Sequence, residues 1–231
     1  MIGVKNDREV SESKDFERIN ELARVMGHEI KVLCPDAKTG LDIGCQKGQI
    51  TEIVSNITGI SFFGIEPDQN EVQRSSRKVR VIKGYANDLP FANSSFDVVM
   101  IISVLEHITP QDLNSSFQEM FRVLKPGGYI VGQIPNMNFP IEVHSHLPFQ
   151  QFLPTEMGNR YLRLFSKGRY LKSEWYRISK KKISKMARSC GFEKIFFTSF
   201  LYPKEVFPKF LLPLYPILKV LPLDYIFSFR K

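Results

Sequence analysis

Leu41-Asp42-Ile43-Gly44-Cys45-Gln46-Lys47-Gly48 carries a short apolar run into a loop with a glycine at its start and another at its end. Gly40 to Ile43 reads as a strand, and after Gly48 a helical spacing runs through Thr51 to Asn56. A strand that passes through a glycine turn into a helix is the opening unit of a βαβ arrangement, and it sits where a ligand must approach the backbone closely. The helix N-terminus adds amide groups and a dipole that suit an anion such as a carboxylate. Two glycines at a strand end also occur in plain turns, so the loop gains meaning only from its surroundings.

Outward from the loop, β-type runs alternate with helical patterns from Thr39 to Ile134, the signature of a parallel sheet. A second strand, Ser61 to Ile65, ends at Glu66, and a third runs Val79 to Lys83. The fourth, Phe96 to Ser103, contains Val98-Val99-Met100-Ile101-Ile102, a run expected of a strand buried on both faces. A helix from Pro110 to Leu124 is opened by Thr109-Pro110 and stopped by Lys125-Pro126-Gly127-Gly128, before a fifth strand at Tyr129 to Ile134. Upstream, Phe16, Ile19, Leu22, Ala23, Met26 and Ile30 predict a leading amphipathic helix over Glu9 to Val32 that covers the sheet or its ligand. Downstream, Pro135, Pro140, Pro148 and Pro154 argue against any long regular element before Arg177. A helix at Ser179 to Ser189, a strand at Phe192 to Phe200 and a last strand at Asp224 to Arg230 close the pattern. Leu201 to Leu223 is apolar, but prolines and Lys204, Glu205, Lys209 and Lys219 rule out a spanning helix. The division expected is 1–36 helical cover, 37–134 core, 135–178 insertion, and 179–231 closing helix and strands of the same domain.

With 231 residues, 43% hydrophobic, the chain suits one large domain with a sizeable core. Its charged N-terminus lacks the apolar segment of a secretory signal, so the expected compartment is the cytoplasm. Cys34, Cys45 and Cys190 are odd in number and widely spaced, which reads as reduced thiols and not as a disulfide framework or a zinc site. Eleven basic residues against Glu174 alone lie between Arg160 and Arg188, more than the whole net charge of +8. Such a face attracts phosphate on a small substrate, an anionic membrane surface or a nucleic acid; the plain alternative is a solvated helix face.

Glu66, about twenty residues past the glycine loop, stands where an α/β fold places an acid to grip ribose hydroxyls. With it, the ordered series Leu41-Asp-Ile-Gly-Cys45, Gly64-Ile-Glu-Pro67, Asp88-Leu-Pro-Phe91, Ser95-Phe-Asp-Val-Val99, Leu105-Glu-His107 and Phe121-Arg-Val-Leu-Lys-Pro-Gly-Gly128 resembles the class I S-adenosylmethionine-dependent methyltransferases of the ubiquinone/menaquinone-biosynthesis type (methyltransferase type 11). The resemblance covers Thr39 to Ile134. It implies an α/β, Rossmann-like open sheet of about seven strands, mostly parallel with an antiparallel final strand and helices on both faces, and it makes 135–178 an acceptor lid. It further implies that the loop of Asp42, Gly44, Cys45 and Gly48 holds the methionine part of the cofactor and Glu66 the ribose, with Pro67 also at the cofactor, that Tyr85 and Ala86 line the adenine, whose amino group falls to Asp88 or to backbone, and that Ser103 lies beside the sulfonium. Gln46 departs from the family's usual middle glycine, and Tyr85 from its usual acid or amide.

Transfer of a methyl from a sulfonium is an in-line substitution that asks mainly for alignment and exclusion of water. His107, His144 and His146 are the candidate proton acceptors for a hydroxyl acceptor, His107 with a bland alternative as a hydrogen-bonded surface histidine and His144 and His146 with acceptor orientation as the other role. Alternating histidines in one loop do not make a metal site, so no metal is expected. The partner expected is a small or lipid-linked acceptor such as a sugar or isoprenoid, with peripheral contact at an anionic membrane surface suggested by the basic stretch beside Leu201 to Leu223. A nucleic-acid acceptor is disfavoured, because Val104-Leu105-Glu106-His107 replaces the Asn/Asp-Pro-Pro-Tyr/Phe segment of base amino-methylators. A nicotinamide dehydrogenase would need glycine at Gln46. A catalytically silent cofactor-binding or scaffold protein stays open beside the enzyme.

Overall fold

The Val98-to-Ile102 run fixes the centre of the fold, because a strand with no polar face must be covered on both sides. In the computed structural model, which describes residues 7–76, 78–139, 147, 149, 152–165, 175–200, 213, 216 and 222–231, this run lies in β4 (Phe96–Ile102). Around it stand β1 (Thr39–Ile43), β2 (Ser61–Glu66), β3 (Arg80–Lys83), β5 (Leu124–Pro135), β6 (Glu193–Phe200) and β7 (Asp224–Arg230), in the order β3-β2-β1-β4-β5-β7-β6. β1 to β5 pair in parallel, and β7 inserts antiparallel between β5 and β6. This is the expected Rossmann-like sheet, closed by an antiparallel last strand.

Alternation along the strands divides the core in two. Val98 and Met100 point towards α1 (Asp7–Leu33) and α2 (Gln49–Thr58), where they meet Leu22, Ala23, Met26, Ile30 and Val54. Val99 and Ile101 point towards α4 (Leu113–Val123) and α6 (Lys180–Ser189), against Leu113, Phe117, Met120, Ile183 and Ala187. The helical spacing of α1 is realised from Leu22 to Ile30, but Phe16 is 62% exposed, so the covering face is shorter than its apolar pattern. A short α3 (Gln69–Gln73), capped by the Asp68 side chain, follows β2.

Two expectations need correction. Lys125 to Gly128 is not a break between helix and strand: β5 begins at Leu124, pairs with Phe96, and resumes at Tyr129 opposite Val98, so the Pro-Gly-Gly segment is a bulge inside the strand. Pro154 does not prevent a regular element either. It directly precedes the eleven-residue α5 (Thr155–Phe165), where its missing N–H costs nothing and its carbonyl accepts from Gly158 N–H.

Asp97, within the Ser95-Phe-Asp-Val-Val motif, ties the amino edge of the sheet together. Its Oδ2 accepts from the Lys38 and Thr39 amides at 2.9 and 2.8 Å and from the Thr39 hydroxyl at 2.9 Å, while Oδ1 accepts from Lys125 Nζ at 2.7 Å. Partial burial alone would raise its pKa, but these donors outweigh that and hold the carboxyl far below the usual carboxylate range. Because the folded value lies below the unfolded one, its contribution is present above about pH 4 and is lost as pH falls further. Asp97→Asn is expected to lower stability by about 1–3 kcal/mol at pH 7 and by much less near pH 2, measured as urea midpoints; equal losses at the two pH values would contradict this account.

Candidate functional site

Strand order reverses between β1 and β4, so the loops that leave their carboxyl ends diverge and open a crevice. The β1 loop is held by β2. Gly44 and Cys45 amides donate to the Ile65 carbonyl at 2.7 and 3.2 Å, the Gln46 amide donates to Glu66 Oε2 at 2.9 Å, and Glu66 Oε1 accepts from Asp68 N–H at 3.0 Å. Gly48 N–H closes the turn on the Cys45 carbonyl. The amides of Gly44, Cys45, Gln46 and Gly48 are therefore already used within the fold, and the start of α2, where Gln49 and Ile50 line the crevice, is where helix amides face a ligand.

Close approach explains the glycines. Gly44 has φ +73°, and a Cβ there would collide with Val104; a Cβ on Gly64 would collide with the Cys45 sulfur. Gln46 occupies the left-handed region at φ +49°, so a non-glycine residue takes the backbone shape of the glycine it replaces, at a cost of roughly 1 kcal/mol. Its side chain does not close the crevice; it lines it.

The crevice has two lobes that share Gly44. One, about 360 Å³, is bounded by Asp42, Cys45, Lys47 and Ser103, with Arg18 and Ile19 of α1 facing them. Asp42 is buried, and its carboxyl is pushed up to about 7, first by burial and further by Glu66, against a 2.5 Å hydrogen bond donated by Thr51. Cys45 is a free thiol whose pKa burial raises far above its usual value, with Asp42 and Glu66 adding to the shift, so it is inert as a nucleophile. Ser103, at φ +51°, donates its hydroxyl to Gln133 Oε1 at 2.6 Å. The other lobe, about 340 Å³, is bounded by Ile65, Pro67, Tyr85, Ala86 and His107. In it Asp112 accepts from Asn87 Nδ2 at 3.0 Å and from the Thr109 hydroxyl at 2.7 Å.

Most of the residues singled out in the sequence thus converge. Asp42, Gly44, Cys45 and Ser103 bound the first lobe, Pro67, Tyr85 and Ala86 the second, Gly48 caps α2 and Glu66 braces the loop. Asp88 is exposed and bounds neither lobe; its amide closes a turn on the Tyr85 carbonyl, and Asn87 faces the cavity instead. His107 is exposed in the second lobe, edge-on to the Trp175 ring at 4.9 Å, and not in the lobe of Ser103. His144 and His146 lie outside the described residues. Sequence reasoning missed Thr51, Gln133 and Arg18. Only Arg18 carried a signal, four residues before the buried Leu22 on the same helical face.

Residues 41–132 match the family model described as a methyltransferase domain. The chain is 32% identical over 102 residues to a sterol 24-C-methyltransferase of Pneumocystis carinii, spanning 40% of this chain but only 26% of that protein. It is 25% identical over 205 residues to a demethylmenaquinone methyltransferase of Staphylococcus aureus, covering 81% of this chain and 84% of the relative. In fold it is similar to a methyltransferase of Thermotoga maritima described as a possible histamine N-methyltransferase, with a TM-score of 0.60 at 18% identity and 97% coverage of both chains. It is also similar to phosphoethanolamine N-methyltransferase 2 of Haemonchus contortus in complex with S-adenosyl-L-methionine, with a TM-score of 0.60 at 15% identity over 91% of this chain and 51% of that one.

The left-handed backbone at residue 46 gives a direct test. Gln46→Gly should hold or raise stability by up to about 1 kcal/mol, and Gln46→Val should lower it by more than about 1 kcal/mol, because a branched Cβ tolerates that φ poorly. Denaturant midpoints decide it, and a valine variant as stable as the parent would show that the loop relaxes to another conformation.

Proposed function

We propose that the chain, whose residues 41–132 match the family model described as a methyltransferase domain, transfers a methyl group from S-adenosylmethionine to a small or lipid-linked acceptor. The observation that carries the reading is a bilobed crevice at the carboxyl ends of β1 and β4, with Gly44 at its waist and a braced carboxylate, Glu66, beside it. The residues fit such a cofactor. Each Glu66 oxygen spends one lone pair on a backbone amide, leaving acceptor capacity for a ribose diol. Ile65, Tyr85 and Ala86 give the second lobe an apolar lining suited to a base.

In the first lobe Asp42 suits the cationic amino group, and Arg18, carried in by α1, and the start of α2 suit the carboxylate. The cofactor supplies an electrophilic methyl on a sulfonium; the protein's work is to orient it, align an acceptor near Ser103 and keep water out. An amine that already presents a lone pair needs no general base for the transfer itself, whereas a carbon acceptor attacks through π electrons and must then lose a proton to solvent or to a base. The names of the relatives span a sterol, a demethylmenaquinone and phosphoethanolamine, which speaks for a shared transfer reaction and against reading one acceptor across. Among the described residues no helix is long and apolar enough to cross a membrane.

Calorimetric titration with S-adenosylmethionine and S-adenosylhomocysteine tests the proposal. Both should bind, and Glu66→Gln or Arg18→Ala should each weaken binding by about tenfold or more; a chain that binds neither ligand is a scaffold. A pH series adds a sharper expectation. Burial keeps Asp42 protonated up to about pH 7, and a cation placed against it favours the ionised form, so binding should release a proton near neutrality and tighten as pH rises through about 7. Asp42→Asn should remove that dependence, and a wild-type affinity that stays flat between about pH 6 and 8 would refute the role given to Asp42.

A further inference from the structure

Beyond the two lobes, a third cavity of about 430 Å³ opens at the carboxyl edge of β5. Ile134, Ile178 and the Tyr225 ring give it an apolar floor, and Arg177, Lys180 and Lys181 stand along its side. Lys180 is held over the cavity, its Nζ 3.9 Å from the Tyr225 ring centroid. Among the described residues no carboxylate pairs with Arg177, Lys180 or Lys181.

The charge is placed against the preference of its own helix. Lys180, Lys181 and Lys182 open α6, whose first turn holds no acid, although the positive end of a helix dipole disfavours cations there by some tenths of a kcal/mol each. Arg177 adds a further cation two residues before the Ser179 cap. A sequence selected only for stability puts acids in that turn; here the Tyr225 ring offsets Lys180 alone, and a local rule broken with so little compensation points to a functional position. Three cations around one cavity exceed what a single carboxylate neutralises, and they suit a phosphate monoester, which carries close to two negative charges at neutral pH. The location points the same way. Gln133, which accepts the Ser103 hydroxyl at 2.6 Å, directly precedes Ile134, so the cavity begins one residue beyond Gln133, at the carboxyl end of the strand that flanks the proposed transfer position.

We propose that this cavity binds the phosphate of a phosphorylated acceptor through Arg177, Lys180 and Lys181, with the adjoining carbon skeleton on the floor of Ile134, Ile178 and Tyr225. The role as acceptor site rests on the methyl-transfer reading above; the affinity for a phosphate monoester does not. The test uses the full chain and two probes, phenyl phosphate in solution and phosphatidylcholine vesicles with or without phosphatidic acid. The parent protein should bind phenyl phosphate, the phosphatidic acid vesicles or both, and Arg177→Gln/Lys180→Gln/Lys181→Gln should weaken that binding by about tenfold or more. S-Adenosylhomocysteine affinity should be the same in both proteins, which also verifies the fold of the variant. Vesicle binding alone assigns the phosphate to a lipid head group, and binding of phenyl phosphate alone assigns it to a soluble acceptor. Failure of the parent to bind either probe, or equal binding by the variant, overturns the site while leaving the cofactor reading intact. Phosphate binding without any binding of S-adenosylhomocysteine overturns the acceptor role.

Discussion

The crevice depends on one set of contacts, the capture of the β1 loop by the end of β2. Gly44 and Cys45 share the Ile65 carbonyl, and Gln46 is held by Glu66. Without that clamp a loop with two left-handed residues in three, at Gly44 and Gln46, would have many alternatives, and ordering it costs about 1–2 kcal/mol per residue in backbone entropy. Glu66 is thus both part of the scaffold and a candidate ligand. Two amide donors hold its carboxylate in place, so the loop is organised before any ligand enters.

The same economy of parts holds on the α1 face. Leu22, Ala23, Met26 and Ile30 bury one stripe against β4 and the neighbouring strands, and one turn earlier Arg18 and Ile19 reach the first lobe. Packing of the helix therefore sets the position of a charged side chain at the site. A substitution in the stripe that shifts α1 would move Arg18 with it, which couples core packing to ligand affinity without any direct contact.

Electrostatics divide along the carboxyl edge of the sheet. Towards β2 stand Asp42, which bounds the crevice, and Glu66 behind the loop, near enough that the second raises the pKa of the first. Towards β5 and α6 the edge turns basic, with Arg177, Lys180 and Lys181 around the third cavity. A cationic group is favoured at one end and an anionic group at the other, and Ser103 lies between them, one residue past the end of β4, the strand between β1 and β5. This polarity would orient two ligands before either is fully desolvated.

The sheet was legible in the sequence because its signals are local. An apolar run of strand length, glycine at a tight turn, an acid at a strand end and a helical stripe each declare themselves within a few residues, and their spacing along the chain already implies the parallel order. Asp42, Gly44, Glu66, Tyr85 and Ser103 were legible for the same reason, since each sits at the end of a strand. What the chain alone did not disclose is decided by contacts between residues far apart in it. The bulge at Lys125 to Gly128 follows from its register with Phe96 and Val98, the use of the loop amides from the end of β2, and the exposure of Asp88 beside an inward Asn87 from the way the β3 loop folds back. The alignment of Arg18 with Asp42, and of three cations with the edge of β5, likewise depends on where two helices dock. Local patterns specify which elements form and which face each one buries; only packing specifies which side chains from different elements share a cavity.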